Sequence, residues 1–465
     1  MNSHMNPIKE KAMSTTQRAI QGMAIGLCLL VSLIVPIHAR AASLALNEQI
    51  IADAYVYLVG RALVVRQEHL DVAAQGGYNV AFHNPLGSAT FVNPNLSVAN
   101  TEAWIAVDDA TPVLLEIPKI EGRYYTAQIL DEWGETLTNI HQRNFPLQPY
   151  GKFAFVAPGS RVAIPDDAVR IELRSQKAKM LARVELQNDR DGAVALQRQI
   201  RVTPLGTPKF PPALQIPAFE KPALIGVELF NRAEDLLKSA PDVSPIAAQL
   251  QAQVRAVARE AKDPSRRTAI DKTLRDQIIP RFNRFATQEA GPVRNNWLGT
   301  MVIGNYGEDF WIRSSANLIG IWANNTHEVI YFVTMRDAAG RPLDGGSTYE
   351  LRFPKDALPQ EVVNAFWSVH LVGVPDFMPV PNPLDRFALS TYSNVEKNQD
   401  GSLTLVLAPK PVAGVPESNW LPTAPGKPFS LTWRTYIPKD IVTQGNWFPP
   451  AVSKRNGSAS RIVPR

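Results

Sequence analysis

Apolar residues recur at two different spacings along this chain. In residues 47–66 they recur every three or four positions, at Ile51, Tyr55, Leu58 and Ala62, which predicts an amphipathic helix packed on a sheet. After this helix the pattern changes to alternation and to short apolar bursts separated by Gly, Pro and Asp, which predicts antiparallel strands. The bursts lie at residues 113–117, 124–130, 153–156, 169–173 and 182–186.

Helical spacing returns between residues 219 and 286. Three prolines, Pro222, Pro245 and Pro264, stand where helices are expected to begin, and Asp263 precedes the last of them as a capping residue. The segment therefore predicts a helical bridge. Its two apolar stripes contain Ile246, Leu250, Val254, Val257 and Ala261, then Ile270, Leu274, Ile278, Phe282 and Phe285.

Strand patterns dominate again from Asn296 to Trp447, and the residues 337–340 predict a hairpin turn. This arrangement favours β-sandwich or jelly-roll packing and does not favour a parallel α/β sheet. The strands are expected at residues 328–335, 348–353, 366–371, 403–407 and 431–436.

These patterns predict a mainly β protein with a helical insert, in which two antiparallel β-sandwich, jelly-roll-like domains are bridged by helices. The expected boundaries are a signal peptide at 1–41, an N-terminal β domain at 42–218, a helical bridge at 219–290, a C-terminal β-sandwich at 291–452 and a disordered tail at 453–465.

The N-terminus has the order of charge, apolar run and small residues that is typical of a signal peptide. Lys9, Lys11 and Arg18 precede the apolar residues 22–37, and the small-residue site at 39–41 follows, so we expect cleavage after Ala41. An apolar run of about 16 residues is shorter than the roughly 20 that a membrane-spanning helix needs. The sequence thus predicts an exported protein, periplasmic or secreted, with no integral membrane segment after cleavage.

Composition narrows the function classes. The only cysteine, Cys28, lies in the apolar run, so the mature chain has no disulfide framework. Removal of residues 1–41 takes away four positive charges and one negative charge, which reduces the formal net charge from +5 to +2. The remaining residues show no basic patch for nucleic acid. We therefore expect a small-molecule ligand or substrate, and a homo-oligomer is left open.

Common cofactor and catalytic motifs are absent. There is no Gly-x-Ser-x-Gly elbow, Walker loop, His-Glu-x-x-His helix or Gly-x-Gly-x-x-Gly fingerprint. The mature chain keeps five histidines, none of them spaced to share a helix face, so we expect no metal and no cofactor. These histidines are His69, His83, His141, His327 and His370.

Two sets of motifs resemble known families. Residues 121–125 and 128–133 resemble family 1254 of the domains of unknown function. A second set resembles family 1214 of those domains, and the two families commonly share one chain in this order. The second set lies at residues 296–299, 340–345, 365–368, 382–386, 400–403 and 419–422.

The resemblance implies two β-sandwich domains with an intervening helical segment, mostly in exported bacterial proteins, and it implies no established activity. One segment departs from the family pattern. Where the family usually has Pro-Asn-Asn-Asp-Thr-Leu-Tyr, residues 94–100 read Pro-Asn-Leu-Ser-Val-Ala-Asn, so the acid and the tyrosine are lost. Any chemistry that this run carries in relatives is in doubt here.

Polar residues at the ends of apolar segments are the candidate functional groups. Asp131 and Glu132 end a strand beside Trp133, where an acid can exchange a proton and a ring can hold a polar, sugar-like ligand. The alternative is a strand-end turn with solvated acids. His83, in a loop, is a candidate proton carrier or a simple hydrogen-bonding residue.

Arg313, Asn382 and Arg386 are the candidate substrate-binding groups of the C-terminal half. An arginine presents a planar fork to a carboxylate or phosphate, although internal pairs with protein carboxylates are the commoner role. Because function concentrates in loops held by a rigid scaffold, we expect these groups and Asp131 to face one shared cleft.

Three function classes remain open. The first is a hydrolase or lyase that acts on a small polar or saccharide-like substrate, with Asp131, Glu132 or His83 as acid or base. The second is a non-catalytic ligand-binding or envelope-binding module with a tryptophan-lined face. The third is a structural assembly protein. An enzyme predicts a buried acid in a cleft, whereas an assembly protein predicts a large flat apolar patch.

Overall fold

A computed structural model describes residues 46–88 and 91–455. The expected signal peptide lies outside the described residues, so the export prediction is not addressed by the fold. In the described part no helix is both long enough and apolar enough to cross a membrane.

The first β-sandwich is formed by nine strands between residues 82 and 204. One sheet has the strand order β1-β2-β8-β4-β5 and the other has the order β7-β6-β3-β9. Apolar residues from both sheets form one core. The strands are β1 (Phe82–His83), β2 (Val98–Ala106), β3 (Val113–Ile117), β4 (Tyr125–Leu130), β5 (Thr136–Ile140), β6 (Gly151–Val156), β7 (Ala168–Glu172), β8 (Lys177–Glu185) and β9 (Arg201–Pro204).

The second β-sandwich is formed by ten strands between residues 293 and 454. Its sheets have the orders β10-β11-β12-β18-β14-β15 and β17-β16-β13-β19, and they share one apolar core. The strands are β10 (Val293–Arg294), β11 (Trp297–Gly299), β12 (Val329–Thr334), β13 (Tyr349–Phe353), β14 (Trp367–Gly373), β15 (Ala388–Ser390), β16 (Leu403–Ala408), β17 (Trp420–Pro422), β18 (Phe429–Tyr436) and β19 (Ser453–Lys454).

Helices make a separate layer beside the sandwiches. Apolar residues of the first helix, of the bridge and of a helix at 310–319 join in one core. The helices are α1 (Glu48–Gln75), α2 (Arg190–Gln197), α3 (Ala233–Ser239), α4 (Ala247–Glu260), α5 (Pro264–Thr273), α6 (Ile279–Arg284), α7 (Phe310–Ile319) and α8 (Asp440–Thr443), with π-helical segments at Leu274–Ile278 and Phe285–Glu289 and 3-10 helices at Val227–Arg232, Pro359–Val362 and Glu417–Asn419.

The predicted fold class is confirmed: the described residues form a mainly β protein of open, largely antiparallel sheets with a helical insert. Two neighbouring strand pairs, β6 with β7 and β16 with β17, are parallel. The helix start at Asp263 is confirmed, because its carboxylate accepts hydrogen bonds from the Ser265 and Arg266 amides. The domain boundaries stay predictions.

The fold differs from the sequence expectation at three places. The helix α1 extends to Gln75, and its apolar residues pack mainly against other helices. The helix α7 lies in a region that was expected to contain strands. Ser453 and Lys454 pair with β13, so they belong to a sheet, whereas the rest of the expected disordered tail beyond residue 455 lies outside the described residues.

Candidate functional site

The turn that follows β4 is closed by the carboxylate of Asp131. Its Oδ1 accepts hydrogen bonds from the Trp133 amide at 2.9 Å and from the Glu135 amide at 3.0 Å. Its Oδ2 lies 2.6 Å from the Arg174 guanidinium. The carboxylate therefore has a full set of donors from the protein itself, and its contacts stabilise the turn.

Glu132 is held in the same way by other groups. Arg61 on α1 donates to its Oε1 at 3.0 Å, and the Ser175 hydroxyl donates to its Oε2 at 2.7 Å. Burial raises the pKa of the Glu132 carboxyl, and the Arg61 guanidinium opposes that rise. Asp131 and Glu132 are only 4 % and 3 % exposed, so the alternative of a turn with solvated acids is wrong.

Arg313 on α7 and Trp133 in the turn after β4 lie side by side. The Arg313 guanidinium lies 4.9 Å from the centre of the Trp133 ring. It also pairs with Asp242 at 2.8 Å and with Glu135 at 3.5 Å. Because these carboxylates belong to the protein, the fork of Arg313 is occupied by internal ion pairs.

The other three candidates are not bonded to the Asp131 turn in the described part of the chain: His83 lies on β1, and Asn382 and Arg386 share one loop. His83, on β1, contacts the Thr101 hydroxyl at 3.0 Å, and burial together with Arg198 lowers its pKa. The Asn382 amide donates to the carbonyl of Arg386 at 3.0 Å, and Arg386 donates to the Glu417 carbonyl at 2.7 Å. No described hydrogen bond or ion pair joins these residues to the Asp131 turn. Their catalytic and binding roles stay predictions.

A buried ion cluster on β2, β8 and α1 was not foreseen. The Lys179 ammonium lies 2.6 Å from Asp71 and 2.7 Å from Glu102, and all three side chains are 0 % exposed. Burial alone lowers the pKa of Lys179, but the two carboxylates outweigh it and the net direction is a rise. Trp104 donates to Asp71, and Asn84 donates to Glu102. The cluster joins α1 to the first sandwich.

A cavity of about 90 Å³ lies between the two sandwiches, and we call it the arginine cavity after Arg183 on β8 and Arg434 on β18. Most of its lining is apolar, and no Asp or Glu belongs to the residues that line it. None of the seven sequence-predicted site residues lines it either. Its apolar wall includes Phe91, Leu298, Ile303, Ile312, Ile319, Ile321, Val329 and Val333.

The two guanidiniums of the arginine cavity contact only neutral groups. Arg183 donates to the Gln128 side chain at 2.8 Å and to the Trp322 carbonyl at 2.9 Å. Arg434 donates to the Asn93 carbonyl at 2.6 Å. Although the arginines are 7 % and 3 % exposed, neither forms an ion pair with a carboxylate within the described part of the chain. Buried charges are usually paired, so this is an unusual arrangement.

Two further donors at this cavity have no partner. Arg434 Nε and Trp322 Nε1 are buried, and neither has a hydrogen-bond acceptor among the described residues. Buried polar groups without partners cost free energy, and in native proteins they often mark a site that a ligand or ion completes. Negatively charged oxygen is the kind of acceptor that such donors and guanidiniums bind most strongly.

The segment that departs from the family pattern reaches this cavity. Asn95 lines it and donates to the Tyr436 hydroxyl at 2.6 Å. Ser97, in the part of the segment where the family usually has its acid, contacts the His370 ring at 3.3 Å. Ser97 itself does not line the cavity, so Asn95 is the residue of this segment that reaches it.

The sequence carried one signal for this cavity. Arg434 interrupts a strand of otherwise uncharged residues, Phe429–Tyr436, whereas the strand of Arg183 also contains Lys177, Lys179 and Glu185. A charged residue inside such a strand is costly to bury unless the fold supplies a partner or a function. The convergence of the two arginines depends on how the sandwiches pack together, which the strand patterns do not specify.

A larger groove of about 960 Å³ adjoins the arginine cavity, with Phe91, Leu298, Ile319 and Val333 lining both. We call it the lysine groove after Lys221, which also lines it.

Among the described residues, no group of three or more His, Cys, Asp or Glu side chains is arranged to hold a metal ion.

The fold and the cavity define a class of protein built from two β-sandwiches with a helical layer. Residues 78–204 match the family described as "Protein of unknown function (DUF1254)", and residues 328–440 match "Protein of unknown function (DUF1214)". The chain thus belongs to the proteins that combine these two domains in this order, which confirms the resemblance found in its motifs.

One solved structure shows the same overall fold. The crystal structure of the VPA0106 protein from Vibrio parahaemolyticus is similar with a TM-score of 0.62 and 20 % identity, over 88 % of this chain and 100 % of that one. A putative uncharacterized protein from Burkholderia cenocepacia has a TM-score of 0.44 and 11 % identity, over 87 % and 88 % of the two chains. No curated protein matches this chain.

Proposed function

We propose that this protein is an exported binding protein whose arginine cavity takes a small organic acid with an apolar body. The observation that carries the proposal is the pair of buried guanidiniums, Arg183 and Arg434, that have no carboxylate partner among the described residues. A ligand carboxylate supplies the negative charge that the protein does not provide, and it accepts two parallel hydrogen bonds from a planar guanidinium. Its binding therefore offsets the cost of burying two like charges.

The shape and lining of the cavity limit the ligand. A volume of about 90 Å³ available to water centres corresponds to roughly six to nine water molecules. The mainly apolar wall suits a hydrocarbon chain or a ring better than the many hydroxyls of a saccharide. The ligand class is accordingly a monocarboxylate of short aliphatic or aromatic type.

The positions of the two acids favour binding over catalysis. Asp131 and Glu132 pair with Arg174 and Arg61 inside the protein, and neither lines the arginine cavity.

Localisation outside the cytoplasm rests on the order of charged, apolar and small residues in the first 41 positions. N-terminal sequencing of the protein recovered from a bacterial periplasm should begin at Ala42.

We expect octanoate and benzoate to stabilise the mature chain against heat, and octanol and benzyl alcohol to leave the melting temperature unchanged. The alcohols match the acids in apolar surface but lack the charge that the guanidiniums require. At a hundredfold excess over Kd, the acids should add about 2.7 kcal/mol to the free energy of unfolding. Thermal denaturation followed by circular dichroism, with calorimetric titration, measures both effects.

The variant Arg434→Gln should bind these acids at least about tenfold more weakly, because the ligand loses a charge-assisted contact. Glutamine is too short to keep the hydrogen bond to the Asn93 carbonyl, but it also removes a buried charge that has no carboxylate partner among the described residues, so the melting temperature without ligand should stay near that of the wild type. Arg352→Gln, which removes an exposed arginine of the same sandwich, is the matched control. Equal binding of acids and alcohols, or unchanged affinity in Arg434→Gln, would contradict the proposal.

A further inference from the structure

Lys221 lies in a turn between the strand β9 and the 3-10 helix Val227–Arg232, and it lines the lysine groove. The turn is closed by the hydrogen bond from the Ala223 amide to the Glu220 carbonyl at 3.0 Å. The Lys221 ammonium donates to the carbonyl of Asn317 on α7 at 3.3 Å. The side chain is half-buried and lines the groove, so it is held in place and still reached by a molecule that enters there.

The charges around Lys221 favour a neutral amine. No carboxylate lies within ion-pair distance of its Nζ in the described part of the chain. Burial and, to a smaller extent, the Arg66 guanidinium on α1 together lower the pKa of Lys221 to about 7, against an opposing effect of Asp71. Arg66 itself is fixed by the Phe219 carbonyl at 2.9 Å and by Glu220. The other charged residues of the groove are Arg336 and Asp376.

The rest of the groove is suited to an apolar molecule. Its wall contains aliphatic, aromatic and methionine side chains from both sandwiches and from the helical layer, beside polar residues such as Gln67, Asn283 and Asn296, so it offers apolar surface to a hydrocarbon chain. These residues include Leu70, Val92, Pro222, Leu318, Met335, Phe377, Met378 and Phe429.

We propose that Lys221 is a carbonyl-reactive amine and that the lysine groove is a site for apolar aldehydes. The Nζ lone pair adds to the carbonyl carbon, and the proton that the nitrogen loses passes to the oxygen, which gives a carbinolamine. Loss of water then breaks the carbon–oxygen bond and leaves a carbon–nitrogen double bond to Lys221. The step needs no oxidant or reductant, and water is its only co-product.

Reductive trapping tests this site on the mature chain. We incubate the protein with limiting hexanal and sodium cyanoborohydride at pH 7, then locate the added mass by peptide mapping. At this pH the neutral fraction of an amine with a pKa of about 7 exceeds that of an ordinary lysine by about a thousandfold. Lys221 should be labelled at least about tenfold faster than Lys272, an exposed lysine paired with Asp276.

Two variants separate reactivity from a structural role. Lys221→Met should remove the fast labelling, and Lys272→Met should leave it unchanged. Arg66→Gln keeps the amine but removes the neighbouring charge, so the midpoint of the labelling rate against pH should move upward from about 7. A purely structural lysine shows no such shift.

Labelling of Lys221 no faster than that of Lys272, or a wild-type midpoint above pH 9, would overturn the inference. Peptide mapping of the wild-type protein compares the labelling rates of Lys221 and Lys272 directly, so the test holds even if Lys221→Met fails to fold. The site is independent of the anion proposal, because Arg434→Gln should bind organic acids weakly and still be labelled at Lys221 at the wild-type rate.

Discussion

Replacement of Lys179 by methionine should lower the free energy of unfolding by about 3–5 kcal/mol. The variant leaves the carboxylates of Asp71 and Glu102 at their 0 % exposed positions without the ammonium that lies 2.6 and 2.7 Å from them. Two like charges in a buried site then repel each other, and neither can be hydrated. Urea denaturation at pH 7, followed by far-ultraviolet circular dichroism, measures the loss.

The control for this variant is Lys152→Met, which removes a lysine paired with Asp167 at the surface. Exposed pairs contribute little because water already solvates both charges, so we expect the stability to stay close to that of the wild type. A triple variant, Lys179→Met with Asp71→Asn and Glu102→Gln, should recover most of the lost stability because it removes the buried charges together. Equal stabilities of Lys179→Met and Lys152→Met would contradict the account of the cluster.

Replacement of Glu328 by glutamine should cost about 3 kcal/mol at pH 7. Glu328 lies at the start of β12, and it pairs with Arg143 at 2.5 Å and with His141 at 2.7 Å, both from the first sandwich. Tyr124 donates to it at 2.8 Å. The carboxylate thus joins the two sandwiches beside the arginine cavity, and glutamine keeps its shape but loses its charge.

The stability that Glu328→Gln loses relative to the wild type should decrease as the pH falls. Burial raises the pKa of Glu328, but His141 and Arg143 outweigh burial and lower it from 4.5 to about 2. A depressed pKa in the folded state gives stability that is present above pH 4.5 and is lost as the pH falls to about 2. The difference between wild type and Glu328→Gln should therefore shrink over that interval.

Denaturant titrations of both proteins at several pH values between 2 and 7 test this dependence. Glu417→Gln, which changes an exposed glutamate paired with Arg386, is the matched control and should show no such change. A difference between wild type and Glu328→Gln that stays constant across the interval would rule out the charge as its source.

Much of the sandwich fold was accessible from local patterns. The burst at 113–117 became β3 with the same bounds, and the stripe that contains Leu250, Val254 and Val257 became the buried face of α4. Both follow from the spacing of apolar residues, which is a property of a short segment. An alternating or helical spacing produces the same element wherever it packs.

The strand β2 was missed for a related reason. Its sequence contains Asn100, Thr101 and Glu102 in succession, which resembles a loop, yet all nine residues are buried. These polar groups are tolerated only because partners come from elsewhere: Glu102 meets Lys179 and Asn84, and Asn100 donates to the Asn95 carbonyl. No local pattern contains those partners, which lie on other segments.

The sequence by itself determined the mainly β fold class with a helical insert, the two-domain family combination and which charged residues the chain contains. Only the tertiary structure decided what those charges do. It paired Asp131, Glu132 and Arg313 with internal partners, while it placed Arg183 and Arg434 against one cavity without a carboxylate. The physical reason is that secondary structure follows from spacing along the chain, whereas the electrostatic environment of a side chain depends on groups that are distant in sequence and adjacent in space.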